Sequence, residues 1–395
     1  MNSALAIEAS DHLRRVIIPF WKRLKDEVNG GYFGRVDFEL TCLKKSAKGI
    51  VQTCRIIYFF SEAAIAFKDE ELAAYADHAY RFLLSYGFDE MHGGLYWSLA
   101  YDGMVEDSTK SSFCFAYGIL ALTSYWRLRG DEQALQQALQ LYELTEEHFG
   151  DAIGYKEVLS QDFSSDPNTA GLFAKDSFGG EKMMNTPLHL LDAYRALYQA
   201  TGRPEVLKKM ERIIGLFVTH IFDPTDNSLI IYFDRDMKRA NTYRSYGHEI
   251  EASWMLASSV ELLKESEHTP TILKICDILA HQVYQDAYRD GSVMDETHDE
   301  AVRSRRGHWI QAEAVLGFMA AYERNPESEY YRQAAETIWT FIQEYLVDKR
   351  PQGEWLYRVD ASGKVTEPYA VVWPWKGPYN NGRMCLHLMK ESLPL

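Results

Sequence analysis

Gly30-Gly31-Tyr32-Phe33 and Gly93-Gly94-Leu95-Tyr96-Trp97 are the stretches whose reading decides the fold. Paired glycines adopt backbone conformations that other residues resist, and the aromatics after them favour extended chain. Each stretch therefore reads as a turn entering a short strand. Comparable interludes follow at Gly154-Tyr155-Lys156, Asn227-Ser228-Leu229-Ile230, Gly291-Ser292-Val293-Met294 and Gly353-Glu354-Trp355-Leu356. Their spacing is roughly 60 to 75 residues, longer than the common solenoid periods. Charged stretches such as Arg235-Asp236 and Asp360-Ala361-Ser362-Gly363 come after several of them and suit hairpin tips.

Between the interludes, apolar residues recur at three-to-four spacing, the period of an amphipathic helix. The pattern predicts helices over residues 5–25, 49–67, 71–87, 111–129, 132–149 and 185–200, and again over 204–221, 247–264, 269–288, 308–322, 328–346 and 379–390. That makes twelve helices, two for each of six repeats, and such a chain can close on itself instead of running on as an open solenoid. The expected fold is all-α: an (α/α)6 barrel, one domain over residues 1–395, with short hairpins and loops at one end. The second helix of each pair is the less charged, as an inner helix should be. Residues 161–178, rich in Asp, Ser and Asn, read as a long loop over one end.

The chain has 395 residues, 46% of them apolar, enough to bury a large core. A formal charge of -15 argues against nucleic acid or an anionic membrane as partner. The five cysteines (Cys42, Cys54, Cys114, Cys276, Cys385) are odd in number and show no paired CxxC spacing, which fits free thiols in a reducing compartment. Residues 1–15 lack a basic start followed by an apolar run, so no secretory signal is expected. No stretch is read as a membrane helix, and the expectation is a soluble, cytoplasmic monomer or homodimer. Aromatics at 13% suit either a large core or a carbohydrate site.

The chemistry concentrates in Ser245-Tyr246-Gly247-His248-Glu249-Ile250-Glu251-Ala252-Ser253-Trp254. Three-residue steps place His248, Glu251 and, less closely, Trp254 on one helix face. A base, an acid to hold its ring and a flat apolar surface are what sugar chemistry asks for. Taken alone, the stretch reads equally well as a buried His–Glu pair at a helix end. The even-numbered helices add weight. Near their starts lie Arg55; Asn185 and His189; His248 and Glu251; Trp309 and Glu313; and Asn380 with Arg383. Polar and aromatic groups at one depth in five of six inner helices point to a site at one mouth of the barrel. His308, beside Trp309, is ambiguous between wall and site.

With these residues in view, the chain resembles the N-acylglucosamine 2-epimerase superfamily, and most of all its cellobiose 2-epimerase branch. The likeness rests on Ile18-Pro19-Phe20-Trp21, Gly30-Gly31-Tyr32-Phe33-Gly34, Cys54-Arg55-Ile56, Met184-Asn185-Thr186-Pro187-Leu188-His189 and the His248 stretch. It continues through Trp309-Ile310-Gln311-Ala312-Glu313 and Trp375-Lys376-Gly377-Pro378-Tyr379-Asn380-Asn381-Gly382-Arg383-Met384. The resemblance implies the same (α/α)6 barrel, acting on a reducing-end sugar without metal or organic cofactor. It implies that Arg55 holds the open-chain oxygens, that His189 assists ring opening, and that His248 is an acid/base residue with Glu251 behind it. Trp309 and Glu313 would line the site with Trp375 beside them; Trp373 and Trp254 are candidates for stacking on a second sugar. Two positions depart from the family pattern. Asn380 stands where a second acid/base histidine is usual, and Phe113 stands where a tyrosine is usual.

Once an aldose ring opens, the C1 aldehyde acidifies the C2 proton, and a neutral histidine can remove it. Arg55 and His189 could stabilise the resulting cis-enediolate. Epimerisation is easiest with a base on each face of C2, and asparagine has no titratable proton. The expected activity is C2 epimerisation of a β-1,4-linked disaccharide such as cellobiose, slowed or silenced by Asn380. The alternatives are a mannose-type aldose–ketose isomerase using His248 alone, or a catalytically silent carbohydrate-binding barrel. A glycoside hydrolase using Glu251 and Glu313 would need those carboxyls across a glycosidic bond. His248-Glu249-Ile250-Glu251 is not HExxH, so no zinc site is expected.

Overall fold

The structure, a computed structural model, describes residues 3–165, 180–298, 301–303 and 305–390. The expected loop over residues 161–178 lies outside the described residues from position 166 onward. Helix α1 runs Ser3–His12, passes through a π-helical turn at Leu13–Ile17 and ends as Ile18–Arg23. The helices after it are α2 (Ile50–Phe67), α3 (Glu70–Phe82), α4 (Ser112–Arg129), α5 (Glu132–Leu144) and α6 (Asn185–Thr201). Then come α7 (Pro204–Leu216), α8 (Tyr246–Val260), α9 (Thr269–Asp286), α10 (His308–Arg324), α11 (Glu329–Phe341) and α12 (Asn380–Lys390).

Local chemistry sets many of these boundaries. Asp69 and Asp131 cap α3 and α5 by accepting backbone N–H bonds from the first turn. Gly130 and Gly202, both left-handed, end α4 and α6. Helices α3, α5, α7 and α11 finish on five-residue π-helical turns at Leu83–Gly87, Thr145–Phe149, Phe217–Ile221 and Ile342–Leu346. Apolar periodicity runs straight through these turns, so it places the helix ends but does not reveal the wider winding.

Burial separates two rings. Every residue of α2 from Ile50 to Ala64 is buried, whereas α3 buries only the stripe Leu72, Ala73, Ala76, Ala79, Tyr80 and Phe82. The inner helices pack in the order α2, α4, α6, α8, α10, α12, and α12 returns to α2. Each outer helix lies on the inner helix before it, and α1 lies on α12. The fold is the (α/α)6 barrel. One sequence reading needs correction here: α2 is long and apolar enough to cross a membrane by length and composition, with a mean hydropathy of 1.3 over 18 residues. Its apolarity is spent inside the barrel, where 83% of that window is buried.

The six interludes become six tight hairpins, paired at Lys25↔Tyr32, Phe88↔Leu95, Gly150↔Tyr155, Phe222↔Leu229, Tyr288↔Val293 and Val347↔Trp355. Gly94 shows why glycine is needed: its φ is +74°, and a Cβ would lie 2.2 Å from the Phe115 ring. Just ahead of each inner helix, two residues pair with the hairpin region of the next repeat. Lys48–Gly49 pairs with Ser98–Leu99, Lys110–Ser111 with Val158–Leu159, and Lys182–Met183 with Tyr232–Phe233. Arg244–Ser245 and Arg306–Gly307 do likewise, and Val36↔Val372 closes the circle.

A charge repeat accompanies this ring. Lys48 bonds Asp26 at 2.8 Å, Lys110 bonds Asp89 at 2.9 Å, Lys182 meets Asp151 at 2.7 Å and Lys376 bonds Glu354 at 2.6 Å. Asp26 also accepts the backbone N–H of Val28 and Asn29, and Asp89 those of Met91 and His92. Each pair ties an outer-helix hairpin to the start of the next inner helix. The lysines were legible in the sequence, two to four residues ahead of an inner helix, but aligning the repeats on glycines passes over them.

Candidate active site

The inner helices all begin at one end of the barrel, and their first turns enclose a cavity of about 670 Å³. Converging helix N-termini favour negative charge there. Helix α2 contributes Arg55, α4 Phe113 and Tyr117, α6 Asn185 and His189, α8 His248 and Glu251, α10 His308 and Trp309, and α12 Asn380. Trp373 and Trp375 enter from the segment before α12. Ten of the predicted site residues therefore share one cavity: Arg55, Phe113, Asn185, His189, His248, Glu251, Trp309, Trp373, Trp375 and Asn380.

Trp254 and Glu313 do not line it. Trp254 is 3% exposed and donates its indole N–H to Glu313 Oε2 at 3.0 Å. Glu313, fully buried, takes its other bonds on Oε1, from Asn380 Nδ2 at 2.8 Å and Arg383 Nη2 at 2.8 Å. Both residues belong to a charged floor beneath the cavity and not to its wall.

The expected His248–Glu251 pairing is also corrected. Ser245, the N-cap of α8, lies 2.8 Å from His248 Nδ1 through its Oγ. A hydroxyl can donate or accept, so this contact suits either tautomer of the ring. Trp309 packs against the imidazole, with ring centroids 5.0 Å apart. Glu251 instead reaches Arg383 Nη2 at 3.0 Å, and its Oε1 lies 3.9 Å from His189 Nε2. Arg383 also stands 3.7 Å from Asp192. One guanidinium thus faces three buried carboxyls.

That imbalance sets the protonation of the floor. Burial, reinforced by the nearby Glu313, pushes Glu251 up to about 8 despite Arg383. Burial pushes Asp192 the same way, but Arg195 and Arg383 outweigh it and hold its carboxyl low. Above the floor the histidines are kept neutral. Burial lowers His248 from 6.5 to about 4. Burial, then the Arg383 and Arg55 cations, hold His189 well below its ordinary value. A neutral imidazole is the form that removes a proton.

Arg55 Nη2 donates to the Tyr117 hydroxyl at 2.7 Å and Nη1 to the Trp375 carbonyl. Phe113 packs edge-on to His189 at 5.0 Å and tilts against Trp375 at 5.5 Å. Phe113 thus places an apolar edge in the wall, and Tyr117, one turn on, supplies a phenol. Trp97 and Trp375 form a T-shaped pair at 5.1 Å, and Trp373 packs on Tyr357 at 5.8 Å. Trp375 remains 39% exposed, an open aromatic face at the rim. Sequence reasoning missed Ser245 and Tyr117 as site residues and left His308 ambiguous. The N-cap position of Ser245 was readable, but the partners of the other two come from distant segments. Among the described residues, no group of three or more His, Cys, Asp or Glu side chains is arranged to hold a metal.

The N-acylglucosamine 2-epimerase (GlcNAc 2-epimerase) family pattern matches residues 31–376. The chain belongs to this family. The cellobiose 2-epimerase of Dictyoglomus turgidum is 36% identical to it, over 98% of both chains. The solved cellobiose 2-epimerase of Bacillus thermoamylovorans B4167 superposes with a TM-score of 0.94 at 34% identity, covering 99% of this chain and 100% of that one. More distant is the D-mannose isomerase of Thermobifida fusca, 26% identical over 78% of this chain and 76% of its own. The protein is a carbohydrate epimerase or isomerase.

Proposed function

We propose that the enzyme epimerises C2 of the reducing-end glucose or mannose residue of a β-1,4-linked disaccharide such as cellobiose, within a single catalytic domain and without a cofactor. The observation that carries this reading is one cavity holding two neutral histidines, His189 and His248, together with the Arg55 guanidinium. His189 assists ring opening; His248 then takes the C2 proton of the open aldose, and the electron pair moves through C1=C2 onto O1. Arg55 and the inner-helix N-termini stabilise the enediolate. A proton returned to the opposite face of C2 gives the epimer. The rim tryptophans Trp375 and Trp373 offer a stacking surface for a second sugar, which supports a disaccharide.

Asn380 favours a second reading. It has no proton to exchange, and its amide is engaged with Glu313. If no other group serves the second face, His248 alone returns the proton to C1, and the enzyme is a mannose-type aldose–ketose isomerase. Incubating cellobiose, mannose and glucose with the protein in deuterated water and recording NMR spectra tests both readings. Deuterium at C2 with appearance of the 2-epimer is expected. Ketose without epimer selects the isomerase, and sugars that exchange no C2 proton overturn the proposal.

A further inference from the structure

We propose that His308 is the second proton-transfer group of this cavity, serving the face of C2 that Asn380 cannot. The inference rests on the reading of the site as one for C2 proton transfer. His308 is the first residue of α10, buried, and part of the cavity wall. Its Nδ1 lies 3.0 Å from the Tyr357 carbonyl oxygen. A carbonyl only accepts, so Nδ1 carries the proton and Nε2 of the neutral ring carries the lone pair. That is the atom a base uses, in the tautomer a base needs.

The other carboxyls of the wall are already engaged, and among them Asp107 accepts the Thr109 N–H at 2.8 Å. Glu157 accepts the Thr186 hydroxyl at 2.5 Å and the Met183 N–H at 2.8 Å. Glu251 is tied to Arg383, and His189 Nε2 faces Glu251. His308 resembles His248 instead: one ring nitrogen is oriented by a neighbour and the other is left to the cavity. The two lie on adjoining inner helices, and Trp309, the residue after His308, packs on the His248 ring at 5.0 Å. Burial, then the Lys376 and Arg55 charges, hold His308 well below the usual histidine value, as a second neutral base requires.

The pair works with one proton, taken from solvent, between its two Nε2 atoms, so turnover draws on the minority form in which one of the two otherwise neutral rings is protonated. The neutral imidazole removes H from C2, and the C–H electron pair becomes the C1=C2 bond as the carbonyl pair moves onto O1. The partner imidazolium then gives its Nε2 proton to the opposite face of C2, and the O1 electrons restore the aldehyde. The two rings end with their protonation exchanged. The reverse reaction, or solvent, resets them.

The test is deuterium incorporation at C2, followed separately from cellobiose and from its 2-epimer. His308→Asn keeps an amide N–H for the Tyr357 carbonyl and removes Nε2; His308→Phe keeps ring bulk, and either variant with native melting behaviour serves. The wild-type protein is expected to exchange and interconvert both epimers. The variant is expected to lose exchange from one epimer by about 100-fold or more while the epimer served by His248 exchanges within about threefold of wild type. Two-sided exchange that survives the variant overturns the role of His308, as does equal loss on both sides. One-sided exchange by the wild type overturns it too but leaves proton transfer by His248 standing. No exchange from any sugar overturns the proposed function itself, and the inference with it.

Discussion

The mouth and the floor of the barrel are a few ångströms apart and are built on opposite rules. At the mouth, His248 and His308 each use one ring nitrogen on the protein, and Asn185 Oδ1 is buried without a partner. On the floor, Arg383 binds Glu251, Glu313 and Tyr379, while Trp254 and, reaching down from the mouth, Asn380 complete Glu313. The difference teaches a division of labour. Unmet polar groups at the mouth await a ligand, whereas the floor is a densely bonded network, Arg383 Nε apart, that holds α6, α8, α10 and α12 in register. Mutations at the mouth should therefore cost activity, and those on the floor stability.

His248→Ala gives the sharpest contrast. It should slow C2 exchange by about 100- to 10,000-fold while moving unfolding free energy by no more than about 1–2 kcal/mol. NMR exchange and chemical denaturation on one sample measure both, and a severe loss of stability would erase the proposed division. The same histidine fixes the acid limb. Because burial lowers its pKa from 6.5 to about 4, the neutral base persists as pH falls through 6.5. Exchange should stay level there and decline only toward pH 4; a limb centred on the ordinary value would count against a buried base.

Arg383→Met strikes the floor. It leaves three carboxyls without their shared cation, and breaking a buried pair by removing one partner costs about 3–5 kcal/mol. A melt within about 1 kcal/mol of wild type would show that the floor is not the structural layer. Lys48→Met should cost less, about 1–3 kcal/mol, because Asp26 keeps the N–H groups of Val28 and Asn29. Trp254→Phe should be mildest, at about 1 kcal/mol for one lost bond to Glu313. Since Trp254 is outside the cavity wall, KM should not change; a raised KM would return it to the sugar site.

Much of this was determined by the sequence alone. Six turn-and-strand interludes, most of them opened by glycine, and two helical patterns between them specify a closed double ring, because turn chemistry and amphipathic periodicity are local properties. The mouth residues were legible for the same reason: Arg55, His189, His248 and Asn380 recur at matching depth in successive inner helices, where an apolar core has no use for them. Tertiary structure alone decided the partnerships. Glu251, three residues after His248, shares its face but lies about 4.5 Å further along the helix, deep enough to meet Arg383 of α12 while Ser245 takes the ring. One further turn carries Trp254 out of the cavity and onto Glu313. His308 stayed ambiguous beside Trp309, because its tautomer is set by the Tyr357 carbonyl, 49 residues away in the chain. Helical spacing reports which residues share a face, but depth within a ring of six helices decides what that face meets.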